Sequence, residues 1–250
     1  MHIQLTDILT CPVCGPQHGL ILRADRIVER RVRDGALGCP HCRRQYEIRG
    51  SAAFLVADET ASGGPRQAEY ARQPVARDAQ PVTGDRQSET AQPAHATAQA
   101  GEQPLQRPES SDPEGAMRIA ALLGLGQDVT RPSGFVALVG DAAVRAAAVA
   151  TLLEGQELVA VDRQAAGLRD SDRVSRITTV DSLPFYDAKL RAIWLGGDAT
   201  DALLEEATRA LHPTGRLVLE PAPPDAHERL AARGLHVLAH ERETLVATRA

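Results

Sequence analysis

Residues 135–162 read FVALVGDAAVRAAAVATLLEGQELVAVD. The apolar runs FVALVG and LVAVD bracket AAVRAAAVATLLEG, an alanine-rich stretch long enough to cross back over a sheet. The alternation continues outward. VSRITTV at 174–180, LRAIWLG at 190–196 and RLVLEP at 216–221 are further short apolar runs, and DATDALLEEATRALHP at 198–213 is a second helical stretch of crossover length. Strand, helix and strand repeated in this way predict an α/β domain with a mainly parallel sheet and helices on both faces. The chain ends with a helical stretch at 226–233 and two strand-like pieces, LHVLAH and TLVATR, suited to an antiparallel hairpin that closes the sheet. Ahead of the first run, MRIAALLGL at 117–125 has helical character and is followed by the break Arg131-Pro132-Ser133-Gly134.

The 250 residues are 43% hydrophobic and 24% charged, a globular composition with room for one ordinary domain beside a small one. Residues 57–114 differ: they are rich in Pro, Gln, Ala, Ser and acids, with Tyr70, Val75, Val82 and Leu105 as their only sizeable apolar groups. Such a stretch cannot bury enough surface to offset its ordering entropy, so it reads as a disordered linker. Three parts result: a small domain over 1–56, the linker over 57–114, and the α/β domain over 115–250. The net charge is −5, and residues 1–56 hold eight arginines against five acids, so no segment has the strong positive balance of a protein that grips nucleic acid by phosphate contacts alone. The start, MHIQLTDILT, has neither a basic run nor a long apolar one, and no stretch reaches the ~18 apolar residues of a membrane span. A cytoplasmic location with no membrane partner is expected.

The small first domain carries all four cysteines of the chain, as Cys11-Pro12-Val13-Cys14 and Cys39-Pro40-His41-Cys42. Two such knuckles can converge on one ion, and four thiolates close a tetrahedral zinc site without leaving a position for substrate. The metal expected is therefore structural Zn²⁺, held by Cys11, Cys14, Cys39 and Cys42, in a β-rich zinc ribbon. His41 lies inside the second knuckle and reads as a neighbour of the sulfurs, since four thiolates already satisfy the ion. Leu5, Ile8, Leu9, Leu20, Tyr46, Ile48 and Phe54 read as a minimal core, the alternative being an exposed apolar patch that faces a partner. With so little core, the metal has to supply most of the folding free energy, of order 10 kcal/mol. Cys39→Ser is expected to unfold the ribbon and leave the C-terminal domain intact.

LTDILTCPVCG at 5–15 and CPHCRRQYEIRGSAAFLV at 39–56 resemble the small zinc-ribbon activator that partners tRNA, rRNA and protein methyltransferases. Asp7-Ile8-Leu9, Arg44, Tyr46, Ile48, Gly50 and Phe54-Leu55-Val56 occupy that family's places, and Ser51-Ala52-Ala53 departs from its usual Ile-Pro. The resemblance implies that the apolar strand extends the sheet of a methyltransferase by β-augmentation. The partner is then this chain's own C-terminal domain or another methyltransferase-fold protein. Ribbons of this type also bind nucleic acid, in which case Arg30, Arg31, Arg43 and Arg44 are the phosphate contacts.

The C-terminal part is similar to a class I S-adenosylmethionine-dependent methyltransferase, a Rossmann-like fold. LLEEATRALHPTGRLVLEPA at 203–222 resembles the family's helix, Pro-x-Gly turn and fifth strand, and Asp181-Ser182-Leu183-Pro184-Phe185 resembles the segment after its third strand. Asp162 sits where a second-strand acid accepts hydrogen bonds from ribose hydroxyls. The first turn departs from the pattern. Where the family has an acid and a Gly-x-Gly-x-Gly turn, this chain has Leu138 and then Gly140, Ala142 and Val144. If S-adenosylmethionine binds, Gly140, Asp162 and Asp181 are the contacts that survive. No catalytic residues are identified; after the fourth run stands Trp194-Leu195-Gly196-Gly197-Asp198. The leading expectation is a zinc ribbon tethered to a degenerate methyltransferase-like domain that serves as a scaffold or regulatory module. An active methyltransferase with a built-in activator and a nucleic-acid-binding ribbon are the alternatives.

Overall fold

The computed structural model describes residues 1–56, 112–123, 134–153, 155–180 and 182–249. The N-terminal part forms β1 (Thr10–Cys11), β2 (Gly15–Gly19), β3 (Ile21–Val28), β4 (Arg31–Gly38), β5 (Gln45–Arg49) and β6 (Ala52–Phe54). The C-terminal part runs α1 (Pro113–Leu123), β7 (Phe135–Gly140), α2 (Ala146–Leu152), β8 (Glu157–Asp162), β9 (Val174–Thr178) and β10 (Leu190–Gly196). It continues with α3 (Asp201–Ala210), β11 (Leu211–Glu220), α4 (Ala226–Ala231), β12 (Leu235–Glu241) and β13 (Thr244–Arg249). Every apolar run of the sequence is a strand, and the last two pair as the antiparallel hairpin.

The parallel strands lie in the order β9-β8-β7-β10-β11 and β13 adds antiparallel to β11. Strand order reverses between β7 and β10, which is the doubly wound α/β arrangement. β7, β8 and β10 are largely apolar on both faces, because each face is covered. Val136, Leu138, Leu158, Ala160 and Trp194 pack with α1 and α2, while Ala137, Val139, Val159, Ile193 and Leu195 pack with α3 and α4 on the other side. Trp194 is core, 2% exposed.

The start of α1 lies inside the stretch assigned to the linker, whose residues 57–111 are outside the described ones. Asp112 caps the helix, its Oδ1 accepting from the Gly115 N–H at 2.9 Å, and Pro113 stands at the first helical position, where its missing N–H costs nothing. The helix therefore opens two residues ahead of the expected boundary at residue 115.

The ribbon is not a separate body. Met1–Ala57 and Pro104–Ala250 belong to one compact unit, and the ribbon strands continue the main sheet in the order β9-β6-β5-β4-β3. Strand β6 pairs in parallel with β9 through Ala52↔Arg176, Ala53↔Ile177 and Phe54↔Thr178. Without it β9, buried along its whole length, would present a row of unpaired N–H and C=O groups. A second seam joins the ribbon to residues 182–186: the Thr10 N–H donates to the Pro184 carbonyl and the Tyr186 N–H to that of Ile8, with Leu9 bridged to Phe185. Leu5, Leu9, Leu37 and Ile48 share one apolar cluster with Ile177, Leu183 and Phe185. This continuity argues that the ribbon and the C-terminal part unfold together rather than the ribbon alone.

Three arginines fasten the junction. Arg31, on the ribbon and 3% exposed, donates to the carbonyls of Asp172 and Val174. Arg176, on β9 and 6% exposed, donates to the carbonyls of Gly50, Leu168 and Ala166, and Arg33 pairs with Asp170. The α-amino group of Met1 is buried beside them and donates to the carbonyls of Val32 and Ser51. Arg31 is thus spent on the junction and is removed from the set of phosphate contacts; Arg30 and Arg43 are exposed.

Candidate metal centre and strand-end crevice

Each cysteine knuckle is closed by a residue with positive φ directly after its second cysteine: Gly15 at φ 81° and Arg43 at φ 60°. Glycine adopts that geometry without cost, and Arg43 accepts strain of ~1 kcal/mol because the knuckle requires the turn. The turns bring Cys11, Cys14, Cys39 and Cys42 together with all four sulfurs within 4.8 Å of one another. The Cys11–Cys42 and Cys14–Cys39 sulfurs lie 3.7 and 3.8 Å apart. A tetrahedron with zinc–sulfur bonds of about 2.3 Å has an edge of about 3.8 Å, so the cluster already has the dimensions of a four-thiolate site. These separations are far beyond the ~2.05 Å of a disulfide. The donor set can hold one metal ion.

The surroundings favour thiolate unequally. Burial opposes ionisation of Cys11, but the Tyr46 hydroxyl 3.2 Å away and the amides of Cys14 and Val13 outweigh it and bring this thiol down to about 7. Burial and the neighbouring Cys42, Cys11 and Cys39 sulfurs push Cys14 up to about 12. Four sulfurs in mutual contact resist full ionisation unless a cation compensates them. Of the seven residues read as the ribbon's core, Leu5, Ile8, Leu9, Leu20, Tyr46 and Ile48 are buried and Phe54 is half-buried. Sequence reasoning did not find the roles of Tyr46 and Arg176, since hydrogen bonding to a sulfur or burial of an arginine in a strand leaves no periodic signal.

The second candidate site is the rim where strand order reverses. Gly140 ends β7 and faces Gly196 at the end of β10, while Asp162 ends the neighbouring β8, so Gly140 and Asp162 share one rim. Asp181 lies outside the described residues. The Asp162 Oδ1 accepts from the Gln164 N–H at 2.7 Å, which folds the carboxylate into its own local turn. Gly140 has φ 66° and ψ −133°, and a Cβ there would collide with the Gly196 carbonyl oxygen. The next residues form a 3-10 turn, Asp141–Arg145, that lies down on the sheet: Ala142 is 3% exposed and Ala143 1%. A Cβ placed on Gly196 would be 2.7 Å from the Ala142 nitrogen and 3.3 Å from its Cβ. Ala142 therefore packs directly against Gly196 between the ends of β7 and β10, and α2 beyond it has only seven residues. A Gly-rich turn would leave backbone open to a ligand; this turn carries Ala142 and Val144 instead, with Ala142 buried.

No family model and no curated protein matches the chain. Among solved structures, 1,6-didemethyltoxoflavin-N1-methyltransferase of Burkholderia thailandensis is 19% identical, covering 56% of this chain and 80% of that one with a TM-score of 0.42. A chain of the complex between the Haloferax volcanii Trm112 methyltransferase activator and a methyltransferase is 15% identical, covering 55% and 92% with a TM-score of 0.38. The tRNA (m1A58) methyltransferase TrmI of Aquifex aeolicus is 11% identical, covering 55% and 69% with a TM-score of 0.40. Each TM-score is below 0.5, so the doubly wound fold stands on the strand order and connectivity given above. Among the described residues no helix is long and apolar enough to cross a membrane.

Proposed function

We propose that this chain is a zinc-held ribbon built into the edge of a methyltransferase-like sheet, and that it works as a non-catalytic binding or scaffolding module. Zn²⁺ is held by Cys11, Cys14, Cys39 and Cys42, and its role is structural. The observation that carries the non-catalytic reading is the turn after β7, where Ala142 and Val144 stand in place of glycine and Ala142 packs against Gly196. The ribbon's partner is its own C-terminal part, because the β6 edge and the β9 edge are already joined. That junction leaves no free β6 edge with which to augment another protein's sheet in the same way.

The rival reading is an active methyltransferase with its activator built in, and the shared rim of Gly140 and Asp162 speaks for it. Calorimetry on the whole chain separates the two. No heat with S-adenosylmethionine or its demethylated product at millimolar concentration is expected. Micromolar binding of either would overturn the non-catalytic reading. Metal analysis of the purified chain is expected to give one zinc per protein.

A further inference from the structure

We propose that His41 and Tyr46 are side-chain hydrogen-bond donors that spread the negative charge of the metallated sulfur cluster, and so strengthen its hold on the metal. The inference rests on the zinc reading above. A divalent ion with four thiolates carries excess negative charge, and donors around the sulfurs spread that charge and orient the ligands. Once metallated, every cysteine is a thiolate and can only accept. That condition assigns the direction of two contacts: the Tyr46 hydroxyl donates to the Cys11 sulfur at 3.2 Å, and His41 Nδ1 donates to the Cys14 sulfur at 3.5 Å. The second assignment fixes the His41 tautomer with its proton on Nδ1.

The distribution of donors supports a built arrangement. The two side-chain donors reach the two cysteines of the first knuckle, Tyr46 at Cys11 and His41 at Cys14. Cys14, the second of its knuckle, receives an imidazole carried by the opposite knuckle. That imidazole is held in place: the His18 ring stacks on it with centroids 4.2 Å apart and planes 19° from parallel. His18 comes from β2, so the stack ties the strand after the first knuckle to the second knuckle. On the other side, Tyr46 is 3% exposed and its ring is packed in the shared core, which fixes its hydroxyl against Cys11. One donor closes the buried side of the cluster and one the solvent side.

The test uses the full chain and two readouts, zinc affinity by competition with a chromophoric chelator and the sulfur-to-metal charge-transfer band of the cobalt(II)-loaded protein. His41→Ala and Tyr46→Phe are each expected to weaken zinc binding about 10- to 100-fold and to move the cobalt band to lower energy, because an uncompensated thiolate is a stronger electron donor. His41→Asn, whose amide N–H can stand near the position of Nδ1, is expected to restore most of the affinity. His18→Ala should give a smaller loss in the same direction. A His41→Ala chain within threefold of the parent and with an unmoved band would overturn the proposal. So would a His41→Asn chain as weak as His41→Ala, since that result marks His41 as a ligand. If Tyr46→Phe fails to fold, the His41 pair decides alone. A parent chain that takes up neither zinc nor cobalt would instead refute the metal reading itself.

Discussion

Ala53 of the cysteine ribbon and Ile177 of the third parallel strand sit opposite each other in a parallel ladder, both with no exposed surface. The pair marks the point where the four-cysteine ribbon becomes part of a doubly wound sheet. Its neighbours on either side, Ala52↔Arg176 and Phe54↔Thr178, complete a short seam that is buried apart from the half-buried Phe54. The metal then has consequences on both sides of the seam.

Removing the metal should destabilise the whole described unit. Cys39→Ser, or a strong chelator, is expected to lower the melting temperature of a single transition and to raise amide exchange in β9 and residues 182–186 as well as in the ribbon. The reason is that Leu9, Leu37 and Ile48 share their cluster with Ile177, Leu183 and Phe185. Two separate transitions, with the C-terminal one unmoved, would show that the seam does not couple the two parts.

Arg176→Ala should cost about 4 kcal/mol, because it strands buried carbonyls and leaves Asp170 with one fewer partner. The control is Arg26→Ala, which breaks an exposed pair with Asp34 and should cost under about 1 kcal/mol. Chemical denaturation measures both. Equal losses would mean that burial of Arg176 contributes nothing to the junction.

Gly140→Ala is expected to destabilise by about 3 kcal/mol, from positive φ and from collision with the Gly196 carbonyl. Gly155 also has positive φ, 73°, but a Cβ there meets nothing within 4 Å, so Gly155→Ala should cost only about 1 kcal/mol. A Gly140→Ala chain as stable as Gly155→Ala would show that the rim of β7 and β10 is looser than its geometry.

Stability should fall as pH is lowered from 8 towards 5 in protein made with Met1 as its free terminus. Burial, then the charge of Arg31, lowers the α-amino group to about 4 from its ordinary 8.0, and His2 is lowered as well by burial. Between those values the unfolded chain binds a proton that the folded chain does not. The amine's contribution is therefore complete above about pH 8 and is lost progressively below it, with a slope of at most about 1.4 kcal/mol per pH unit. Unfolding at pH 6 should take up protons. A stability that is flat from pH 6 to 8 would contradict the burial of the amine.

Much of this was legible in the residues. The runs FVALVG, LVAVD, VSRIT, LRAIWLG and RLVLE are mostly apolar because parallel strands are buried on both faces, so their existence and order could be read directly. The knuckles were legible because ligand spacing is local: Cys11 and Cys14, or Cys39 and Cys42, meet by a turn of a few residues. The junction was not. Arg31 and Arg176 are 145 positions apart and look like ordinary surface arginines, and only their burial against Asp172, Val174, Gly50 and Leu168 reveals them as fasteners. The missing glycines at 142 and 144 could be seen in the sequence, but a substitution says only that a turn has changed. That Ala142 lies down beside Gly196 is a fact of packing.

By itself the sequence determined the parts: a four-thiolate ribbon, a doubly wound sheet and a first turn without its glycines. Periodicity and short-range spacing encode such features, since they depend on residues a few positions apart. Only the tertiary structure decided that the parts share one sheet and that β9 receives the ribbon's strand. Those outcomes depend on hydrogen bonds and contacts between residues more than a hundred positions apart, as between Ala53 and Ile177, and no local pattern records them.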